Sequence, residues 1–167
     1  IANTFEVLEI TDQATTTDDT NLTRIGSNIS TVKYTAGLGD AQTLQGLASG
    51  GTIILGAAAS AGADAVTVTV KDAAAAGNNS DVLNLTLNGA HASGTLDYGV
   101  VVAAAVENIN INSTSTKTTA LVAADKNELD LTIANAVNVT VTGNVYLDID
   151  GAALTGNALA KIDASAN

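Results

Sequence analysis

The chain has 167 residues, 46% of them hydrophobic but only 2% aromatic, and a net charge of −11. That length suits one domain, and the acidity repels a phosphate backbone, which argues against a nucleic-acid partner. With no cysteine there is neither a disulfide framework nor thiol chemistry.

From the N-terminus the first strand-like stretch is "FEVLEI", with Glu6 two residues ahead of Leu8 and four ahead of Ile10. "ISTVKY", "GTIILG", "AVTVTV" and "VLNLTL" follow, then "VENINI", "LDLTI", "VNVTVTG" and "VYLDID". Most alternate apolar residues with Thr, Asn or Asp, as half-buried strands do, and Thr and Val suit a pleated surface. The alanine runs "GAAASAGADA" and "KDAAAAGNNSD" carry no apolar stripe at helical spacing. The expectation is an all-β protein.

The main strands begin at residues 5, 29, 51, 65, 82, 106, 129 and 145, so successive starts lie 14 to 24 residues apart. This spacing approaches one coil of a parallel β-solenoid, a stack of short strands whose narrow interior fits small aliphatic side chains. A β-sandwich is the alternative, since frequent turns are also its signature. Residues 1–167 read as one β-rich module, with 1–104 and 105–167 as candidate sub-repeats. No apolar run approaches the roughly 20 residues of a membrane span, so no membrane insertion is expected. A start at Ile1 and an end at "IDASAN" read as a piece of something longer.

Two loops hold oxygen-bearing side chains at close spacing. "TDQATTTDDTN" offers Asp12, Asp18, Asp19 and Asn21; "KDAAAAGNNSD" offers Asp72, Asn78, Asn79 and Asp81. Hard cations such as Ca²⁺ take oxygen ligands from such loops, although Asp and Asn also form turns by bonding their own backbone. Glu107, in "VENINI", shares a strand face with Ile109 and Ile111 by period-two spacing. A corner position at the strand's first residue resolves this conflict. There the carboxylate accepts backbone N–H groups or joins a cation. Asp148 and Asp150, in "VYLDID", read as solvent-facing carboxylates.

Catalysis finds little support. His91 is the single histidine, in "NGAHASGT", and reads as a surface residue. No serine sits in a nucleophile-elbow motif, and a sugar cleft usually needs more aromatics than Phe5, Tyr34, Tyr98 and Tyr146 supply. A non-enzymatic protein is expected.

The order of phrases is also informative: "FEVLEI", "TLQGLASGGTIILGA", "AVTVTVKDA", "SDVLNLTLNGA", "VENINI", "LDLTIANAVNVTVTGNVYLDI" and "KIDASA". Across nearly the whole chain this series resembles the repeat module of RTX-type calcium-binding S-layer proteins and related large surface proteins of Gram-negative bacteria. The glycine-rich calcium nonapeptide of that family is absent. The resemblance implies type I secretion, an extracellular location at the bacterial cell surface, calcium-assisted folding and assembly into a lattice or filament. Partners would be copies of the chain or neighbouring modules, with cell-surface polysaccharide as a further candidate for an adhesin segment.

Overall fold

The computed structural model describes residues 5–150, apart from 14, 16 and 27, together with the strand 161–166. The first half of the chain forms β1 (Val7–Ile10), β2 (Asp18–Asn21), a four-residue helix α1 (Leu22–Ile25), β3 (Thr31–Tyr34), β4 (Gln42–Leu47), β5 (Gly51–Leu55) and β6 (Ala65–Val70). The second half forms β7 (Val82–Leu87), β8 (Thr95–Ala103), β9 (Asn108–Ser113), β10 (Lys126–Thr132), β11 (Asn138–Gly143), β12 (Tyr146–Asp150) and β13 (Lys161–Ala166).

Odd-numbered strands build a seven-stranded sheet in the order β1-β3-β5-β7-β9-β11-β13. Even-numbered strands build a six-stranded sheet in the order β12-β10-β8-β6-β4-β2. Every adjacent pair is parallel. The chain therefore coils, adding one strand to each sheet per rung, as a parallel β-solenoid does. Both sheets run unbroken past residues 104 and 105, through the β7–β9 and β8–β10 pairings.

The rungs are less regular than the strand spacing implies. Val7 stacks under Thr31, Thr31 under Thr52 and Thr52 under Asn84, so successive coils there take 24, 21 and 32 residues. The short steps read from the sequence, such as 51 to 65 and 65 to 82, are half-coils that cross from one sheet to the other.

Alternation sets the core. β7 buries Leu83, Leu85 and Leu87 and turns Val82, Asn84 and Thr86 outward; β9 buries Ile109, Ile111 and Ser113. Inward residues of both sheets merge in one cluster of Val, Ile, Leu and Ala, joined by Tyr34 and Tyr98. Burial pushes both phenols up to about 12, and the Tyr98 hydroxyl accepts the Gly89 N–H at 2.7 Å. Outward, the seven-stranded sheet carries an in-register row of Thr31, Thr52, Asn84, Asn110 and Thr140. Its amides link in a ladder, Asn110 donating to Asn84 at 2.9 Å.

Three register shifts interrupt the ladders, one of them in β11 against β13 between Thr140 and Thr142. The register of β4 against β6 shifts between Gln45 and Leu47, where Gly46 has φ +79. Against β10, β8 shifts around Gly99, φ +76, where an added Cβ would run into the Asp64 carbonyl oxygen. Only glycine meets both demands at that position. Among the described residues, no helix is long and apolar enough to cross a membrane.

Candidate functional site

Glu107 sits immediately before β9, at the corner where a loop enters the seven-stranded sheet. Its backbone carbonyl accepts the Val137 and Asn138 N–H groups of the next rung, at 2.8 and 3.0 Å. Its carboxylate reaches the other way. Glu107 Oε2 accepts the N–H of Asp81, one rung below, at 3.0 Å. This backbone bond is one of the two corner roles expected from sequence, and Ile109 and Ile111 fill the interior.

Asp81 occupies the matching corner before β7 and is 2% exposed. Its carbonyl accepts both the backbone N–H and the side-chain amide of Asn108, at 3.0 and 3.2 Å. Its Oδ2 is buried without a hydrogen-bond partner. Among the described residues, the ion pairs involve neither Asp81 nor Glu107. A buried carboxylate oxygen in this state is costly unless a cation or a donor meets it. The corner thus holds one carboxylate bonded to a backbone N–H and one carboxylate oxygen without a partner, oxygen donors of the hard kind that Ca²⁺ takes, of which a full set needs about six to eight. Among the described residues, no group of three or more His, Asp or Glu side chains is placed to hold a metal ion.

The remaining candidates are dispersed. Asp72 is exposed, in a left-handed conformation with φ +60, and its carbonyl accepts the Asn78 side-chain amide at 3.1 Å. The Asn78 N–H in turn bonds the Ala75 carbonyl, so Asp72 and Asn78 shape a turn. "DDTN", expected as loop, is strand β2: Asp18 pairs with Gln42 and Asp19 with Thr43. Asn21 caps α1, its side chain accepting from Thr23 N at 3.1 Å. Asp12 lies in an exposed bend. Asp148 faces solvent, its side chain 41% exposed, and accepts from Lys126 Nζ at 2.6 Å, a contact that raises the lysine pKa. Asp97, Glu128 and Asp148 form an in-register acidic row across β8, β10 and β12.

His91 corrects its sequence reading outright, being 4% exposed. Its ring nitrogens lie 2.9 Å from the Gly94 carbonyl and 2.9 Å from Asn127 Oδ1. Asn127, an inward residue of β10, also donates to Ser113 Oγ and the Thr114 carbonyl at 2.9 and 3.1 Å. Nearby, buried Asp125 accepts from Lys117 Nζ at 2.6 Å and from the Val122 N–H at 2.9 Å. Lys117 first, then Val122, holds this carboxyl below its usual range. These residues fasten the long connections of the middle rungs to the core. His91 is thereby occupied as a structural bridge between a loop carbonyl and a strand amide.

The two ends of the stack differ from its middle. Leu8 and Ile10 of β1, and Leu147 and Ile149 of β12, point inward yet are only partly buried. Phe5, Val7 and Ile25 at the first end are 73%, 56% and 51% exposed, and Tyr146 at the other is 66% exposed. An apolar recess of about 220 Å³ opens at the first end, lined by Phe5, Val7, Leu8, Ile25, Gly26 and Ile29.

The fold is a parallel β-solenoid-like stack of two sheets. Comparison with protein-family models and with curated proteins gives no match for this chain.

Proposed function

We propose that this chain is a non-catalytic structural module of a secreted bacterial surface protein, self-assembling into an S-layer or cell-surface filament with calcium support. The observation that carries this reading is the pair of parallel sheets, a repetitive stack that adds one strand to each sheet per coil around a continuous aliphatic core. The resemblance to RTX-type surface modules adds the extracellular setting. Calcium belongs at the Asp81–Glu107 corner, where the orphaned Oδ2 needs a positive partner.

Electron microscopy of the purified chain tests the assembly. Ordered arrays or fibres are expected, whereas dispersed particles that bind glycans would replace the scaffold with an adhesin segment. That second reading draws on the neutral row of Thr and Asn on the outer face of the seven-stranded sheet. For calcium, thermal melts with added Ca²⁺ and with excess chelator are the measurement. A higher melting temperature in Ca²⁺, abolished by Asp81→Asn, is expected; coincident melts remove calcium from the reading.

A further inference from the structure

The chain's single histidine lies in a row of polar groups that begins and ends on backbone carbonyls. His91, on the connection from β7 to β8, is 4% exposed, and its Nδ1 lies 2.9 Å from the Gly94 carbonyl. Its Nε2 lies 2.9 Å from the side-chain amide of Asn127, itself fully buried. The far end of that amide lies 3.1 Å from the Thr114 carbonyl. The order is carbonyl, imidazole, amide, carbonyl.

A proton count along this row has one complete solution. Both carbonyls can only accept. The Thr114 carbonyl takes an N–H from Asn127, so the amide oxygen of Asn127 faces His91, and it too can only accept. Gly94 makes the same demand on the other ring nitrogen. A neutral imidazole has one N–H and leaves one of these oxygens facing a lone pair. Turning the amide over moves the conflict to Thr114 without removing it. Ser113 Oγ, 2.9 Å from the amide nitrogen, does not change the count, because a hydroxyl can donate or accept.

The titratable and charged groups around the row are Asp125, Lys117 and Tyr98. Buried Asp125 has its carboxyl held below the usual range by Lys117 first, then Val122. The Gly94 N–H contributes more weakly, and Asp125 Oδ1 keeps no full hydrogen bond. Gly94 thus offers its carbonyl to His91 and its N–H towards an anionic carboxylate, a setting that tolerates a positive ring. The Tyr98 hydroxyl accepts the Gly89 N–H. Lys126 and Glu128, either side of Asn127, belong to the outward face of β10, as does Asp97 on β8.

We propose that the folded chain holds His91 as an imidazolium, a latch between the β7–β8 connection and β10 that loosens when the ring gives up a proton. The β7–β8 and β9–β10 connections also meet at Gly89, whose carbonyl accepts from Ser115 Oγ at 2.9 Å and from the Thr116 N–H at 3.2 Å. Losing one ring proton leaves a buried oxygen without its donor at this clasp, while the strand ladders keep theirs. Unfolding frees the ring from both acceptors. Where the folded ring is charged and the unfolded ring neutral, stability therefore falls as pH rises. The latch is independent of assembly and of calcium.

Because the chain has no other histidine, its ring-nitrogen spectrum belongs to His91 alone. The full-length chain, labelled with nitrogen-15 in histidine, is compared folded and in urea at about pH 7.5, where an unfolded imidazole is roughly 90% neutral. Nearly equal shifts for the two nitrogens are expected in the folded chain, and separated shifts in urea. Widely separated shifts in the folded chain show one neutral tautomer and overturn the proposal. Urea unfolding between about pH 6 and 9 supplies a second readout. Across that range the folding equilibrium constant should fall about tenfold more in the native chain than in His91→Gln, the scale of one buried acceptor left unmet. Parallel pH dependence in the two chains overturns the latch. Should His91→Gln fail to fold, the ring-nitrogen spectra decide alone.

Discussion

Glu6 and Glu107 occupy equivalent corners in two different settings. Each precedes a strand of the seven-stranded sheet, and each offers its carbonyl to two N–H groups of the rung above: Ser30 and Thr31 for Glu6, Val137 and Asn138 for Glu107. Glu107 has a rung beneath it and uses its carboxylate there, on the Asp81 N–H. Glu6 belongs to the first rung and is exposed. The same contrast holds for the apolar rows, sealed at Ile109 and only half covered at Leu8. A rung in this fold is a half-finished object. Its side chains acquire their roles from the rungs on either side, so a similar local pattern gives a carboxylate bonded to the rung below in the middle and an exposed carboxylate in the first described rung.

The largest expected effect separates core from end. Ile109→Ala should cost about 2–5 kcal/mol in urea unfolding, the usual range for deleting a sealed aliphatic side chain. Leu8→Ala should cost about 1 kcal/mol or less at low protein concentration, because less apolar area returns to water. If stacking covers Leu8, its cost should grow with protein concentration while that of Ile109→Ala holds steady. Equal costs at all concentrations would break the contrast.

Next in size is an alkaline transition owned by the interior. The phenols of Tyr34 and Tyr98 are raised from 10.0 to about 12 by burial. The unfolded chain therefore loses these protons first. Stability from the two phenols is complete below pH 10 and is lost as pH rises from 10 towards 12, by about 2–3 kcal/mol per tyrosine. Tyr34→Phe should move the alkaline unfolding midpoint to higher pH, followed by circular dichroism. An unmoved midpoint would show that this phenol does not govern the transition.

The smallest effect is the most direct test of the two corners. Glu107→Ala leaves the Asp81 N–H without its acceptor and should cost about 1–2 kcal/mol. Glu6→Ala should stay within about 0.5 kcal/mol, as exposed substitutions do. Similar values for both would mean that the carboxylate bond at the inner corner contributes little.

Strands of the seven-stranded sheet were the more legible in the sequence, because β5, β7, β9 and β11 keep strict alternation. Several of the other sheet were hidden. β4 places Gln42 inward and bulges at Gly46; β8 bulges around Gly99; β2 is the wholly polar "DDTN". A bulge inserts one residue and resets the period of two, which erases the pattern a sequence reader follows. The corner at Glu107 was legible as a conflict, a carboxylate on an apolar face. Its partner was not, because Asp81 is 26 residues away through a coil of irregular length. His91 was misread for a related reason. Its burial depends on Asn127, 36 residues on, and no local pattern announces that contact.

The parallel pairing has a mechanical consequence. Strands lie across the stacking axis, so hydrogen bonds between rungs point along it, and covalent chain advances only one strand spacing per coil. Tension along the axis therefore meets the rungs in series and peels them one at a time from an end. Within the middle rungs, ties such as Lys117–Asp125 and His91–Asn127 fasten long connections and should resist that peeling. A layer built from such units would yield gradually under load, shedding terminal coils before its centre gives way.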